Sequence, residues 1–450
     1  MKYAKNFAAL LLALLAFGSC KKFLDAKPDR SLTIPKTIYD VQILLDNNER
    51  MNTNCPWMGE GSADGYYYTQ TDWNAATNQS NKNAYLWGPE LMFSSFPNDW
   101  SCSYDPIYFS NIALETLDGI ERTNNNALAW DNAKGSALFY RAKHWFTTAT
   151  LWAKAWDSQS AAIDLGIPLR TSSDFNKVSV RSTMQQTYDQ VIADAKQAAA
   201  MLPASPLHVM RPSVPAAYAL LARVYLSMRA YDSAAKYADL CLQQRSTLLD
   251  FTTLNAASTY PIAAFNAEVI MHFAMRGVPA VVRGKIDTLL YNSYASNDLR
   301  KTIYYKANGD GSYQFRGSYA GTAFNFTGFA VDEMLLTRAE CAARKGNTAA
   351  ALSDLNTLLA KRWKAGTFVF YTATSPEDAL DKVLIERRKE LVLRDTRWMD
   401  IKRLNMESAN ITIKRVLDNQ AYLLPPKDNR YALPIPETVI NLSGIQQNPR

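Results

Sequence analysis

Residues 57 to 104 combine many flat aromatic side chains with amides and few charges. A sugar ring offers a face of C–H bonds edged by hydroxyl groups, so an aromatic ring can stack on it while amides and carboxylates bind the hydroxyls. The pattern predicts a carbohydrate-binding surface, which tyrosines of residues 246 to 330 can complete from the opposite side. We expect only a minority of the rings to be exposed at one rim, while the others pin loops to the core. The candidate ligand-binding residues are Trp57, Tyr66, Trp73, Asn81, Trp87, Trp100, Tyr291, Tyr294 and Tyr313.

The sequence lacks the common catalytic and metal-binding patterns. Its three histidines, His144, His208 and His272, lie far apart, and no HExxH or CxxC spacing indicates zinc. There is no GxSxG elbow and no Gly-rich phosphate loop. The NGDGS stretch at 308–312 echoes a calcium loop but lacks its downstream glutamate, so a hairpin turn is the better prediction. We therefore expect no enzyme activity, no metal and no cofactor.

Two alternatives from other functional classes stay open. A surface glycoside hydrolase needs two carboxyl groups facing each other about 5 to 10 Å apart across the aromatic cleft. Glu60, Asp64, Asp72 and Glu90 are the candidates for that pair. The other alternative is a helical-repeat scaffold lipoprotein, or a peptide-binding importer, that does not bind glycans.

The N-terminus has the order of a secretory signal. Two lysines precede an apolar run of 11 residues from Phe7 to Phe17, and small residues and Cys20 follow. As a helix this run reaches only about 16 Å, which is too short for a bilayer core of roughly 30 Å. We predict a signal peptide over 1–19, because the stretch 17–20 resembles a bacterial lipobox. In that interpretation the Cys20 thiol takes a diacylglyceryl group and its amine is acylated, for example with palmitate, so that the mature protein is tethered to a membrane.

Charge and cysteine content argue against two other classes of protein, nucleic-acid binders and disulfide-rich domains. The formal net charge is +7, and the longest basic run is Arg387-Arg388-Lys389, which favours a solvated or salt-bridged helix face over a nucleic-acid site. The cysteines are too few and too scattered for a disulfide framework. Cys241 and Cys341 lie in helical patterns and are predicted core residues, whereas a bridge between Cys55 and Cys102 is a hypothesis.

The elements that must position these residues are mostly helical. Apolar residues recur at helical spacing, with small residues where two helices would cross, and Gly346 marks one turn. This is the layout of tetratricopeptide helix pairs, of which at least three must stack to bury a core. We predict a mostly α fold with about four pairs. Their candidate helices cover 107–123, 136–156, 183–202, 216–243 and 332–362.

Two segments and the tail interrupt the helical plan, because Asn, Gly and Pro replace the periodic pattern there. The densest charge lies at 385–405, where we predict a helix with structural ion pairs, including Glu390 with Arg394 and Asp400 with Arg403. The predicted division of the single domain 20–450 is a tether and first segment (20–50), an aromatic-rich loop insertion (51–105), helices (106–245), an irregular insertion with short strands (246–330), helices (331–405) and an extended surface tail (406–450).

Taken together, these features resemble the SusD/RagB family of nutrient-binding outer-membrane lipoproteins. Each motif is weak alone, but their order and spacing along the chain are specific. The matching motifs are Cys20–Asp25 after the lipobox, Arg141-Ala142, Gly166–Leu169, Glu386-Arg387, Glu390-Leu391, Arg397–Arg403, Leu433–Pro436 and Gln447–Pro449.

The resemblance implies a role while leaving the ligand open, because ligand-contacting loops vary across the family. It implies a lipid-anchored protein on the outer face of the outer membrane that captures an oligosaccharide or polysaccharide, or in some members a peptide. It further implies that the protein acts as a lid on a SusC-like TonB-dependent transporter, to which it delivers the ligand without breaking a bond.

Overall fold

The computed structural model describes residues 35–88, 96–275 and 284–450. The predicted signal peptide and Cys20 lie outside these residues, as does Glu90. The helices are α1 Ile38–Leu45, α2 Asn48–Met51, α3 Met58–Ser62, α4 Gln70–Ala75, α5 Gln79–Leu86, α6 Asp99–Asp118, α7 Ala127–Trp152, α8 Met184–Met201, α9 Val214–Ser227, α10 Tyr231–Gln244, α11 Thr288–Asn292, α12 Arg300–Ile303, α13 Val331–Arg344, α14 Thr348–Leu359, α15 Pro376–Glu390, α16 Arg397–Asn405 and α17 Glu437–Ser443.

The long helices stack in chain order, which confirms the predicted helical fold. Helix α7 packs on both α6 and α8, α9 packs on α10, and α13 packs on α10, α14 and α15. Ser213 caps α9, with Pro215 in its first turn. Alanines such as Ala222 on α9 and Ala238 on α10 are fully buried, so the two helices of a pair can approach closely. Cys241 and Cys341 lie in this core, as predicted.

The strands are short and form six two-stranded antiparallel sheets within the described residues. Most of the strands lie in the irregular insertion 246–330, where short strands were expected. The predicted NGDGS turn is confirmed, because it joins the strands at 305–307 and 313–315 with Gly309 and Gly311 at positive φ. The strands are β1 Tyr66–Tyr67, β2 Leu165–Pro168, β3 Arg181–Thr183, β4 Val269–Met271, β5 Ala274–Met275, β6 Lys285–Ile286, β7 Tyr305–Ala307, β8 Tyr313–Phe315, β9 Asn325–Phe326, β10 Phe329–Ala330, β11 Ile413–Leu417 and β12 Gln420–Leu424.

The aromatic segment 51–105 contains more helix than its sequence pattern predicts. Helices α3, α4 and α5 lie within it, and α6 begins at Asp99 rather than near residue 107. Side-chain caps start these short helices: Thr69 and Asp72 form a capping box at α4, and Asn78 caps α5. Such helices are too short and too polar to show a 3.6-residue apolar period.

The tail after residue 406 is not simply extended chain on the surface. Strands β11 and β12 form a hairpin, and α17 follows the Pro-rich stretch. Leu433 and Ile435 are buried in an apolar cluster with Trp152 and Trp398. The prolines prevented a long helix, as expected, but the apolar residues between them pack inward.

The charged stretch 385–405 forms two helices, α15 and α16, separated by a turn. The predicted pair between Asp400 and Arg403 is present, with 2.8 Å between Oδ1 and Nε. Leu391 and Ile401 are buried. The stretch is therefore a structural helix junction.

The predicted pair between Glu390 and Arg394 is wrong, because α15 ends at Glu390 and the turn carries Arg394 away. Glu390 instead binds the buried guanidinium groups of Arg300 at 2.9 Å and Arg362 at 2.7 Å. Arg394 pairs with Asp332 at 2.7 Å. Both arginines that bind Glu390 come from outside the helix pair, so this buried ion network ties the irregular insertion to the C-terminal helices.

Cys55 and Cys102 are both free thiols, so the hypothetical disulfide is absent from the structure. Cys55 is buried, and its sulfur lies 3.3 Å from the Lys143 ammonium. Burial, reinforced by the nearby Asp99, raises the pKa of the half-buried Cys102 thiol to about 11.

Candidate functional site

Three of the nine candidate residues belong to the core. Tyr66, Trp87 and Tyr294 are each 2% exposed. Their polar atoms serve the fold, since the Tyr66 hydroxyl donates to the Gly61 carbonyl at 2.6 Å and the Trp87 indole donates to the Ser62 carbonyl at 3.0 Å. The Tyr294 hydroxyl donates to the Lys389 carbonyl at 2.7 Å. These residues position other parts of the site and offer no free ring face.

Of three further candidates, Asn81 and Trp100 are buried, and Trp57 is partly exposed but packs against the core. The Trp57 ring packs so closely on Gly61 that a Cβ there would lie 2.3 Å from it. Asn81 is buried within α5. Trp100 contacts Trp152 edge to face, with 5.2 Å between ring centroids, and borders a separate cleft of about 240 Å³.

The remaining three candidates, with Tyr67, form a half-exposed surface that we call the aromatic rim: Tyr67, Trp73, Tyr291 and Tyr313. The Tyr291 and Tyr313 rings stack in parallel, with centroids 3.6 Å apart and an angle of 16° between planes. This stacked pair therefore presents ring faces that are held in place, as stacking on a sugar face requires.

Buried rings support the Trp73 side of the rim from beneath. Tyr85 lies 5.8 Å from Trp73 between centroids, and Tyr68 lies 6.3 Å away. Such contacts hold the indole in place, so little conformational entropy is lost when a ligand stacks on it.

The two insertions meet beside these rings. Strand β1 of the first insertion pairs with β6 of the second, with Tyr67 opposite Lys285. The Lys285 ammonium lies 3.5 Å from Asp72 and 2.7 Å from Asp310, which bridges the Trp73 side to the hairpin that carries Tyr313. The hydrogen bond from Lys285 holds the pKa of the Asp310 carboxyl well below its usual range. These charged groups can bind sugar hydroxyls at the edge of the platform.

Local sequence explains how each ring is held. The capping box of Thr69 and Asp72 starts α4, the short helix that contains Trp73. Asp287 caps α11, accepting from the Leu290 amide at 2.8 Å, and so sets the turn that carries Tyr291. In the β7–β8 turn, Asp310 accepts from the Ser312 amide at 3.0 Å, which fixes the hairpin that carries Tyr313.

Sequence reasoning missed three lysines at this site. The Lys82 ammonium lies 5.0 Å from the Trp73 ring, and the Lys301 ammonium lies 4.9 Å from the Tyr291 ring. Lys285 bridges the two insertions. Helical spacing could have placed Lys82 near other residues of α5. The position of Lys285 depends on the pairing of β1 with β6, and strands of two residues are too short to show a sequence pattern.

The carboxylates proposed for a hydrolase do not form a free pair in the described part of the chain. Glu60 is 1% exposed, and burial raises its pKa to about 8. Asp64 is bound by Arg397 through two bonds of 2.7 Å. Asp72 is engaged by Thr69 and Lys285. Glu60 and Asp64 line the same cavity, but its volume of about 10 Å³ leaves no room for the glycoside that acid–base hydrolysis would place between them.

The structure offers two further findings about membranes and metals. Across residues 35–88, 96–275 and 284–450, no helix is both long and apolar enough to span a bilayer. Among the same residues, no three His, Cys, Asp or Glu side chains converge in a way that could hold a metal ion.

Comparison with known proteins identifies the family. A SusD-like model described as "Starch-binding associating with outer membrane" matches residues 22–226, and the SusD family model matches residues 320–450. No curated protein matches the sequence. The chain belongs to the SusD/RagB family.

Solved structures share the fold over nearly the whole chain. A SusD superfamily protein from Bacteroides thetaiotaomicron is 22% identical with a TM-score of 0.75, covering 92% of this chain and 100% of its own. A protein from Bacteroides vulgatus, provisionally described as sugar-binding, is 19% identical and has a TM-score of 0.74. The match covers 93% of this chain and 99% of its own. A SusD superfamily protein from Bacteroides fragilis is 20% identical with a TM-score of 0.73, covering 92% and 99%. At these identities the likeness concerns the fold.

Proposed function

We propose that this protein is a surface-exposed outer-membrane lipoprotein that binds an oligosaccharide or polysaccharide at the aromatic rim. It delivers the glycan to a SusC-like TonB-dependent transporter by a lid movement, without breaking a bond. The observation that carries the proposal is the rim itself: Trp73 and the stacked Tyr291 and Tyr313 face solvent in part and are bridged by Lys285. Rings edged by charged groups suit the C–H face and hydroxyls of a sugar.

The tether supports the delivery step. Acylation at Cys20 would keep the protein at the membrane surface, where a flexible linker raises its effective concentration near a membrane-embedded partner. The description of the matched family model, starch binding in association with the outer membrane, agrees with this placement.

The experiment is a screen of the lipid-free mature protein against arrays of glycans and peptides. We expect binding to one class of glycan, and binding that is confined to peptides would favour the peptide-importer alternative. The captured glycan is then incubated with the protein and assayed for new reducing ends. Release of reducing ends would overturn the non-catalytic role and favour a hydrolase.

A further inference from the structure

The hairpin of β11 and β12 brings one charged side chain into the interior, next to the rings that support the aromatic rim. Burial alternates along β11: Ile413, Arg415 and Leu417 are buried, whereas Lys414 and Val416 are exposed. A buried position in such a strand normally carries an apolar residue, yet Arg415 is charged and only 3% exposed. Burying a charge is unfavourable unless the protein supplies compensating contacts, so the contacts of Arg415 show what it holds.

Three aromatic rings of the first insertion lie against the Arg415 guanidinium. Its central carbon is 4.1 Å from the ring centroid of Tyr85, 5.1 Å from that of Tyr66 and 5.6 Å from that of Trp87. A guanidinium within about 6 Å of a ring centroid is attracted by the electron-rich face of the ring, and the attraction is stronger where water is excluded. Arg415 therefore binds three rings that come from different elements of the insertion.

The same guanidinium also binds the main chain of the first insertion. Its Nη1 donates to the Tyr66 carbonyl oxygen at 2.6 Å, and its Nη2 donates to the Ala63 carbonyl oxygen. Tyr66 lies in β1, which contains the rim residue Tyr67 and pairs with β6 of the second insertion. Arg415 thus connects the C-terminal hairpin to the strand at which the two insertions meet.

Tyr85 links Arg415 to Trp73, a ring of the rim. The Tyr85 ring contacts the guanidinium and also lies 5.8 Å from the Trp73 ring between centroids. The Tyr85 hydroxyl accepts from the Tyr68 amide at 3.0 Å, and the Tyr68 ring packs against Trp73 as well. Because protein interiors are closely packed, a displacement of Tyr85 would displace Trp73.

A second contact from the hairpin reaches the helix that carries Trp73. The β11–β12 turn consists of Asp418 and Asn419, both at positive φ, as a type I′ hairpin turn requires. The Asp418 amide donates to Oε1 of Gln70 at 2.7 Å. Gln70 is the first residue of α4, and Trp73 lies three residues further on, on the same side of the helix. The hairpin therefore supports Trp73 both through Tyr85 and through α4.

We infer that the C-terminal hairpin positions the aromatic rim, and that Arg415 is the positioning residue that holds Trp73 in its binding orientation without touching the ligand. The inference rests on the proposed function, since it assigns the support of the same site to a distant part of the chain. A ring that is held in place before binding loses less conformational entropy when a ligand stacks on it. Loosening this support should therefore weaken binding.

Fluorine NMR of the ligand-free, lipid-free mature protein labelled with 5-fluorotryptophan tests the positioning directly. The signal of Trp73, one of ten tryptophans, is assigned by its absence from Trp73→Phe. We expect Arg415→Met and Arg415→Lys both to shift or broaden this signal. Arg415→Lys keeps the charge but lacks the planar fork that binds two carbonyls, so its effect reports displacement of the ring. Lys414→Met, which removes a cation from the exposed face of the same strand, is the matched control and should leave the signal unchanged.

The affinity for the glycan selected on the array gives a second measurement. We expect Arg415→Met to weaken binding by about threefold or more, Arg415→Lys to weaken it less, and Lys414→Met to bind as wild type does. Circular dichroism and urea unfolding establish that each variant is folded, and the Trp73 signal of Arg415→Lys decides the outcome if Arg415→Met is unfolded. A merely structural role of Arg415 would lower the free energy of unfolding but leave the Trp73 signal and the affinity of the folded variants unchanged.

Two results would overturn the inference. One is an unchanged Trp73 signal in folded Arg415→Lys, and the other is wild-type glycan affinity of folded Arg415→Met when Trp73→Ala has lost affinity. Failure of the proposed function gives a different result, because Trp73→Ala would then bind the glycan as wild type does, or no glycan would bind. In that case the Trp73 signal alone decides whether the hairpin positions the ring.

Discussion

Three buried acids near the first insertion ionise less readily than carboxyl groups normally do. Burial raises the pKa of Glu60 to about 8, of Asp99 to about 7 and of Asp395 to about 6. Asp99 also accepts the amides of Trp57 and Met58 at 2.7 Å each, which fixes the start of α3. These acids are structural groups, and their ionisation opposes folding.

The pH dependence of stability follows from the Glu60 shift. Its pKa in the folded state, about 8, lies above the ordinary 4.5, so the folded protein binds the extra proton between these values. The stability contribution is therefore full below about pH 4.5 and is lost as the pH rises to about 8. Glu60→Gln cannot ionise, so its free energy of unfolding relative to wild type should rise by at least about 1 kcal/mol from about pH 5 to about pH 8.

Urea unfolding at the two pH values measures this change. Asp64→Asn is the matched control, because the pKa shift of Asp64 has the opposite sign. Burial alone would raise the pKa of Asp64, but Arg397 holds it well below its usual range. Removing that charge should destabilise the protein at both pH values. An advantage of Glu60→Gln that does not grow with pH would show that Glu60 is already ionised in the folded protein.

At the residue scale, residue type alone did not predict which candidate side chains are partly exposed. Nine candidates shared the same residue types, yet only Trp73, Tyr291 and Tyr313 lie at the rim. Tyr66 and Trp87 look equivalent to Trp73 in sequence, and only tertiary packing buries them. A tyrosine or tryptophan has both an apolar body and a polar atom, so its type alone does not decide burial.

At the element scale, long periodic helices were predictable and short capped ones were not. Helices α9, α10, α13 and α14 follow their apolar patterns within a few residues. Helices α3 to α5 depend on caps and on burial against distant chain, neither of which produces a period. The β1–β6 pairing joins residues more than two hundred positions apart, which explains why it left no local signal.

The turn between α13 and α14 gives a test at this scale. Gly346 has a φ of +81°, and nothing lies within 4 Å of a Cβ placed there. Gly346→Ala should therefore cost about 1–2 kcal/mol through backbone strain alone. Gly119 at the end of α6 has a φ of −86°, and Gly119→Ala should be neutral or stabilising. Urea unfolding of both variants measures the difference, and equal effects would contradict the assigned turn geometry.

At the scale of the whole molecule, membrane attachment is expected to depend on Cys20, which lies outside the described residues. Cys20→Ala should abolish metabolic labelling with palmitate and remove the protein from the outer-membrane fraction, because no thiol remains to take the diacylglyceryl group. Cys102→Ala, which alters a half-buried cysteine far from the lipobox, should keep both properties. Labelling that persists in Cys20→Ala would contradict the proposed tether.

The central claim is that the rim between the two insertions holds a glycan. Its most direct test is the dissociation constant, measured by calorimetry, of the glycan selected on the array for wild type, the Trp73→Ala/Tyr291→Ala double variant and Tyr39→Ala, an exposed tyrosine on α1. We predict that the double variant weakens binding by at least about tenfold, as expected for losing two stacked rings at about 1 kcal/mol each, whereas Tyr39→Ala binds as wild type does. Equal affinity of the folded double variant and wild type would contradict the account.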